Sequence, residues 1–155
     1  MTGNSGTAPR IVAGVDGSAS SLAALRWAVR QAELTGATVE AVIAWRYPVL
    51  PVPVGPAPAA VIASADFEKT ADKTVTEAIH TVAGSGSNVH VSAQVREGDA
   101  AQILIAAAAG ADLLVVGSRG HGGFTEALLG SVSQHCVHHA PCPVVIVRDN
   151  KGDLG

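Results

Sequence analysis

The glycine-rich stretch GSRGHGGFTEALLGSVS spans residues 117–133, and Ser131 directly follows its last glycine, Gly130. Glycine is used where the backbone must turn sharply or approach a ligand closely. Backbone N–H groups at such turns and at the start of a helix favour phosphate, because oriented donors and the helix dipole attract an anion. Since Gly130 and Ser131 lie at the predicted start of the last helix, the stretch predicts an anion-binding loop.

This loop matches neither of two common phosphate motifs. The pattern G-x-x-x-x-G-K-[ST] is absent, and G-x-G-x-x-G fails because Arg119 stands where its second glycine would be. The sequence has no nucleophile elbow, and Glu126 has no evident carboxylate partner for acid–base work. These observations argue against a Walker ATPase or a Rossmann dehydrogenase, and they favour a binding module over an enzyme.

Short apolar runs alternate with segments of helical periodicity along the chain. Continuous Val, Ile and Leu runs are typical of parallel strands covered on both faces, and they predict strands at 11–15, 37–45, 89–95, 113–117 and 144–147. The predicted helices cover residues 20–34, about 65–83, 99–109 and about 131–139. Ser18 or Ser20 would cap the first helix, which stops at Gly36, and Asp99 would cap the third, which stops at Gly110.

Strands that alternate with helices predict a doubly wound α/β domain, because each parallel crossover is right-handed and packs a helix on the sheet. We expect a single, Rossmann-like domain over residues 10–148, with five mainly parallel strands and four helices, between flexible tails at 1–9 and 149–155. In such sheets ligands bind beyond the carboxyl ends of the strands, where the strand order reverses. The glycine-rich stretch begins at such an end.

A Pro-rich segment, residues 46–60, follows the second predicted strand. It holds five of the eight prolines of the chain, so it cannot form a regular helix or a sheet interior. A lid over the ligand and a structureless connection are both compatible with a loop of this length.

Composition and charge narrow the range of partners and compartments. The ten basic and thirteen acidic side chains give a net charge of -3 without a basic cluster, which argues against nucleic acid as a partner. Two cysteines, Cys136 and Cys142, are too few for a disulfide framework and indicate a reducing compartment. No run is apolar and long enough for a signal peptide or a membrane span, so a cytoplasmic location without membrane contact is expected.

Three sequence landmarks resemble the ATP-binding branch of the universal stress protein family. Gly117-x2-Gly120-x9-Gly130-Ser131 resembles its nucleotide motif G-x2-G-x9-G-[ST], GVDGS at 14–18 resembles its turn after strand 1, and HAPCPVVIVR at 139–148 resembles its terminal segment. The resemblance covers nearly the whole chain. It implies an adenine nucleotide alpha hydrolase-like fold with strand order 3-2-1-4-5, and a module that binds ATP or a related adenine nucleotide in stress response or regulation.

The resemblance also implies a role for individual residues. Gly14, Val15 and Asp16 would border the adenosine, with Asp16 near the ribose or the Mg²⁺-bound phosphates, and Ala44 would line the adenine pocket. Val116 and Gly117 would meet the ribose. The phosphates would be held by Gly120, Gly130, Ser131, Val132 and Ser133. Family members often place histidine before the second glycine and arginine after it. Here the order is reversed, with Arg119 before Gly120 and His121 after it. Which of these two basic side chains faces the phosphates is therefore left open.

Two of these residues could have a structural role instead of, or in addition to, ligand binding. Asp16 could simply cap the first helix, and Ser131 could cap the last one while also binding phosphate. An alternative function is a slow Mg²⁺-dependent ATPase or small α/β hydrolase, in which Asp16 holds the metal and Glu126 or His121 orients water.

The segment HCVHHAPC contains metal-ligand types, with His135 and His139 spaced i, i+4 on the last helix. Histidines in a last helical turn are also favoured by the helix dipole without any metal, and this second interpretation is preferred from the sequence.

The last predicted strand, VVIV, is apolar on both faces and lies at a sheet edge without a protecting lysine or bulge. This pattern predicts a homodimer formed through residues 143–148, and the family resemblance implies the same.

Overall fold

The computed structural model describes residues 8–46, 64–84, 86–119 and 129–148. Most of the Pro-rich segment, residues 1–7 and 149–155 of the predicted tails, and loop residues 120–128 lie outside the described residues. The elements are β1 Arg10–Gly14, α1 Ala19–Thr35, β2 Thr38–Trp45, α2 Ser64–Ala83, β3 Val91–Glu97, α3 Ala100–Ala107, β4 Leu113–Gly117, α4 Ser131–His139 and β5 Val144–Val147.

The five strands form one parallel sheet in the order β3-β2-β1-β4-β5, which confirms the predicted α/β fold and its strand order. Helices α1 and α2 pack on one face of the sheet, and α3 and α4 pack on the other. The side chains of β1 alternate accordingly, with Ile11 and Ala13 in the first core and Val12 in the second. Both faces are covered, which explains why these strands are continuous apolar runs.

Capping residues set both ends of α1 and the start of α3. Ser18, rather than Ser20, is the N-cap of α1, since its Oγ accepts a hydrogen bond from the N–H of Ser21, and Gly36 ends the helix at φ +79°. Asp99 caps α3 as expected, accepting from the N–H of Gln102 at 3.1 Å. The sequence therefore identified the caps of both helices by residue type.

The predicted bounds of β1, β2 and α1 differ from the structure by one residue, and larger differences occur in β3 and α3. Strand β3 begins at Val91 instead of residue 89, because the N–H of Val89 is held in a turn by Ser87 Oγ at 3.2 Å. It continues to Glu97 because its polar end still pairs with Trp45 of β2 at the edge of the sheet. Helix α3 ends at Ala107 and gives way to tighter turns before Gly110, where φ is +78°.

Candidate functional site

The site is built at the carboxyl ends of β1 and β4, which are neighbours in the middle of the sheet. From β1 the chain proceeds to β2 on one side, and from β4 it proceeds to β5 on the other, so the strand order reverses between them. This reversal leaves a crevice between the two strand-to-helix connections. One connection is residues 15–18, and the other begins at Ser118 and ends at Gly130.

The turn after β1 is closed by its own hydrogen bonds. Asp16 Oδ1 accepts from the N–H of Ser18 at 2.9 Å, and the N–H of Asp16 donates to Ser21 Oγ at 3.1 Å. Gly17 between them has φ +85°, a conformation that glycine adopts without strain. Asp16 thus forms an Asx turn, while Ser18 caps the helix. The turn holds an exposed carboxylate at the edge of the sheet.

The last residue of β4, Gly117, lies directly against the first turn of α1. A Cβ atom added to Gly117 would be 2.7 Å from both the carbonyl carbon and the carbonyl oxygen of Ser20, and it would also collide with Ser20 Oγ. Glycine is therefore required here by close packing. Ser20 is 4% exposed, and its Oγ accepts from the N–H of Arg119 at 3.3 Å. The sequence predicts Ser20 only as a possible cap, and no local pattern indicates this contact between α1 and the end of β4.

The start of α4 is fastened to the end of β4. The N–H of Gly130 donates to the carbonyl oxygen of Ser118 at 2.8 Å, and the N–H of Ser118 donates to the carbonyl oxygen of Val147 at 2.9 Å. The buried hydroxyl of Ser133 donates toward the carbonyl oxygens of Gly117 and Ser118, at 3.1 and 3.3 Å. The position of α4 relative to the sheet is therefore fixed at its first turn.

Three backbone donors remain at this first turn. The ladder of α4 begins with the N–H of Gln134, which donates to the carbonyl oxygen of Gly130 at 3.0 Å. The N–H groups of Ser131, Val132 and Ser133 precede it, and they have no acceptor among the described residues. Gly130 is the N-cap, and it has no side chain that could accept from them. The start of α4, beside the carboxyl end of β4, therefore has three N–H groups for which the described residues offer no acceptor.

The backbone of Gly130 does not require a glycine. Its φ and ψ are -68° and 165°, in the extended region that any residue adopts, and Ser18 at the start of α1 has nearly the same values, -76° and 160°. A serine at the cap would satisfy one of the N–H groups that glycine leaves open. Backbone strain therefore does not account for the missing side chain at this position.

The other predicted site residues are distributed around this crevice. Gly14 packs against α3, where an added Cβ would be 2.8 Å from Leu104 Cδ1. Val15 and Val116 are buried, and Ala44 at the end of β2 is half-buried. The side chain of Arg119 is half-buried. Gly120, together with His121 and Glu126, lies outside the described residues.

The two cysteines of the sequence lie close together in the chain. Cys136 is in α4, and Cys142 follows the end of this helix. Burial raises the pKa of the Cys136 thiol to about 11, and burial also raises that of Cys142, against the opposing effect of Arg10. A thiol with a raised pKa is a poor nucleophile and metal ligand near neutral pH. In the described ranges no three His, Cys, Asp or Glu side chains form a group that could hold a metal ion.

A model of the universal stress protein family matches residues 8–148. A universal stress protein of Mycolicibacterium smegmatis is 37% identical over 141 residues, which cover 89% of this chain and 47% of the relative. A universal stress protein of Mycobacterium tuberculosis is 31% identical over 152 residues, covering 90% of this chain and 48% of the relative. The chain therefore spans about half the length of these curated relatives.

Solved structures share the fold. Universal stress protein UspA from Lactobacillus plantarum superposes with a TM-score of 0.69 at 21% identity, covering 90% of this chain and 97% of its own. A universal stress protein solved in complex with cAMP superposes with a TM-score of 0.58 at 26% identity, covering 92% and 98% of the two chains. No helix in the described part of the chain is long and apolar enough to cross a membrane.

Proposed function

Because the chain belongs to the universal stress protein family, we propose that it binds an adenine nucleotide in the crevice between the connections after β1 and β4. The observation that carries this proposal is the first turn of α4. Its three N–H groups have no acceptor among the described residues, and its N-cap is a glycine in a conformation that does not need one. Such a helix start favours a phosphate group, because the donors and the helix dipole act together.

Within this proposal the phosphates interact with backbone rather than hydroxyl groups. The Ser133 hydroxyl is occupied by the carbonyl oxygens of Gly117 and Ser118, and the N–H of Gly130 is occupied by Ser118. The N–H groups of Ser131, Val132 and Ser133 therefore supply the contacts, and Gly130 allows the phosphate to approach them. Arg119 and Gly120, at the start of the same connection, would add further donors.

The adenosine lies, in this proposal, toward the sheet. Val15 and Ala44 would line the adenine, and Val116 and Gly117 would face the ribose, with Gly14 supporting the turn from the α3 side. The exposed carboxylate of Asp16 would face the ribose or a Mg²⁺ ion held by the phosphates, since Mg²⁺ prefers carboxylate and phosphate oxygens. A universal stress protein related at 26% identity binds cAMP, and this relative supports an adenine nucleotide as the ligand class.

We infer that the bound nucleotide is ATP and that its turnover is slow or absent. In-line hydrolysis needs a positioned water and charge stabilisation of the transferred phosphoryl group. The sequence has no P-loop lysine, and the described residues supply backbone donors and one carboxylate, which are sufficient for binding. A regulatory module that senses the nucleotide is the function most consistent with this chemistry.

The proposal is tested by removing a single N–H group from the helix start. Proline is tolerated at the first helical position, so Ser131→Pro deletes one donor while α4 is retained. Calorimetry of nucleotide-free protein should show ATP binding weakened about tenfold or more, because a hydrogen bond to a charged group contributes about 1.5–3 kcal/mol. The titrations are run with and without Mg²⁺, and with cAMP in parallel.

Two variants serve as controls. Ser131→Ala removes the hydroxyl and keeps the N–H, so its affinity should stay close to that of the wild type. Ala100→Pro makes the same change at the first position of α3, where Asp99 is also extended, at φ -71° and ψ 129°. If wild-type protein binds no adenine nucleotide, the proposal is wrong. If Ser131→Pro binds ATP as tightly as the wild type, the phosphates lie elsewhere.

We also propose that the protein forms a homodimer through β5 and its flanking residues, 143–148. Within the described sheet β5 is an edge strand. The carbonyl oxygen of Pro143 accepts from Leu114 of β4, and that of Val147 accepts from Ser118, the residue after β4. In a parallel ladder the backbone groups of Val144 and Ile146 therefore point away from the sheet. Ile146→Pro removes an outward N–H group. Ile146→Ala also shortens the side chain but keeps this N–H group, so it serves as the control. Sedimentation should show weaker dimerisation for Ile146→Pro, and dimerisation close to that of the wild type for Ile146→Ala. A wild-type monomer at micromolar concentration would refute the interface.

A further inference from the structure

Three histidines lie near the carboxyl end of α4, on the part of the helix farthest from Gly130. His135, His138 and His139 are all exposed. The rings of His135 and His139, one helical turn apart, have centroids 5.0 Å from each other and planes tilted by 41°. The rings of His138 and His139 are farther apart, with centroids at 6.3 Å.

The separation of the ring centroids of His135 and His139 matches that of two imidazole rings that share a metal ion. Zinc binds an imidazole nitrogen at about 2.0–2.1 Å, and in a tetrahedral arrangement two such rings have centroids about 5 Å apart. We propose that His135 and His139 form a surface site for a borderline divalent cation such as Zn²⁺, Ni²⁺ or Cu²⁺. Each histidine provides one ring nitrogen, and water fills the remaining coordination positions.

The surroundings of the pair determine the number and kind of ligands. No third His, Cys, Asp or Glu within the described ranges is grouped with these rings, so the site has two protein ligands and stays open to solvent. Cys136 lies on the same helix but is fully buried, so its thiol does not reach the exposed rings. Imidazole ligands suit Zn²⁺, Ni²⁺ and Cu²⁺, whereas Mg²⁺ prefers oxygen ligands. The cation bound here is therefore distinct from any Mg²⁺ that accompanies a nucleotide.

The position on the helix also favours a cation. The last turn of an α-helix carries partial negative charge from its unpaired carbonyl groups, and a positive ion near it is stabilised. Two ligands separated by one turn also fit the folded helix better than an extended chain, so the ion binds the folded state preferentially. The sequence alone favoured a dipole explanation for these histidines, and the ring geometry of His135 and His139 adds a chelating one.

The test uses untagged full-length protein freed of metal with a chelator, and titrates it with Zn²⁺ or Ni²⁺ in the absence of nucleotide. Calorimetry should show a single bound ion per chain, and Mg²⁺ should give no signal at the same concentration. His135→Gln and His139→Gln should each weaken binding about tenfold or more. His138→Gln should leave the affinity unchanged, because the ring centroid of His138 is 6.3 Å from that of His139.

Further variants make the result decisive. All three histidines are exposed, so their replacement should leave the circular dichroism spectrum unchanged. The Cys142→Ser variant should retain the ion, since Cys142 is not a ligand in this proposal. Loss of binding in Cys142→Ser, equal losses in His138→Gln and His135→Gln, or undiminished binding in the His135→Gln/His139→Gln double variant would each overturn the site.

Discussion

The connections after β1 and β4 occupy equivalent places on neighbouring parallel strands, yet they differ in how side chains contribute hydrogen bonds to the helix that follows. After β1, Asp16 Oδ1 accepts from the N–H of Ser18, and Ser18 Oγ accepts from the N–H of Ser21 in the first turn of α1. After β4, Gly130 has nearly the same backbone conformation as Ser18 but no side chain, and three N–H groups of α4 have no acceptor among the described residues. Within the described residues, the first helix start therefore has a side-chain cap, and the second has none.

The two helices also differ in how firmly they are held. Seven residues of α1 are buried, including Leu25 and Val29, whereas α4 buries only Ser133 and Cys136. Burying a large apolar side chain contributes about 1.5–3 kcal/mol, so α1 forms a rigid support, and α4 depends more on the contacts at its first turn. The open helix start thus lies on the less firmly held helix, where a bound anion has the larger effect on local stability.

The largest effect is expected where the end of β4 touches the first turn of α1. Gly117→Ala places a methyl group against the backbone of Ser20, so α1 and β4 must move apart. We expect a loss of about 1–3 kcal/mol in the free energy of unfolding, measured by urea denaturation.

The double variant Gly117→Ala/Ser20→Ala shows which atoms cause this loss. Removing the hydroxyl leaves the Ser20 carbonyl group 2.7 Å from the new methyl group, so most of the loss should persist. If the single Gly117→Ala variant is as stable as the wild type, the contact between Gly117 of β4 and Ser20 of α1 is not tight.

A smaller effect follows from exchanging the caps of the two helices. Ser18→Ala should destabilise the protein by about 1 kcal/mol and leave nucleotide affinity unchanged, because Ser18 only closes α1. Gly130→Ser should stabilise the protein by a few tenths of a kcal/mol, roughly the difference between serine and glycine at an N-cap. The same serine should weaken ATP binding about tenfold, because its oxygen competes with phosphate for one N–H group.

Urea denaturation and calorimetry on the two variants measure these opposite outcomes directly. A Gly130→Ser protein that is more stable and binds ATP as well as the wild type would contradict the role assigned to the uncapped helix. A Ser18→Ala protein with lost affinity would show that the closed connection also contributes to the ligand.

The sequence predicted much of this architecture because the signals are local. Apolar runs and cap residues such as Asp99 are read within one turn or strand, and the strand order follows from chirality together with the family resemblance. The contact of Gly117 with Ser20 and the hydroxyl direction of Ser133 depend on elements distant in the chain, and no local pattern encodes them. The extension of β3 to Glu97 has the same origin, since its pairing with Trp45 of β2 decides which residues join the ladder.

The hydrogen bond between Gly130 and Ser118 has a practical consequence for protein engineering. It brings the two ends of the connection between β4 and α4 to within 2.8 Å, so these ends are fixed whatever chain joins them. Doubling the length of a closed loop costs only about 0.6 kcal/mol in chain entropy. A fluorescent reporter domain with adjacent termini could therefore be inserted between these two residues, and its emission would respond to occupancy of the neighbouring helix start.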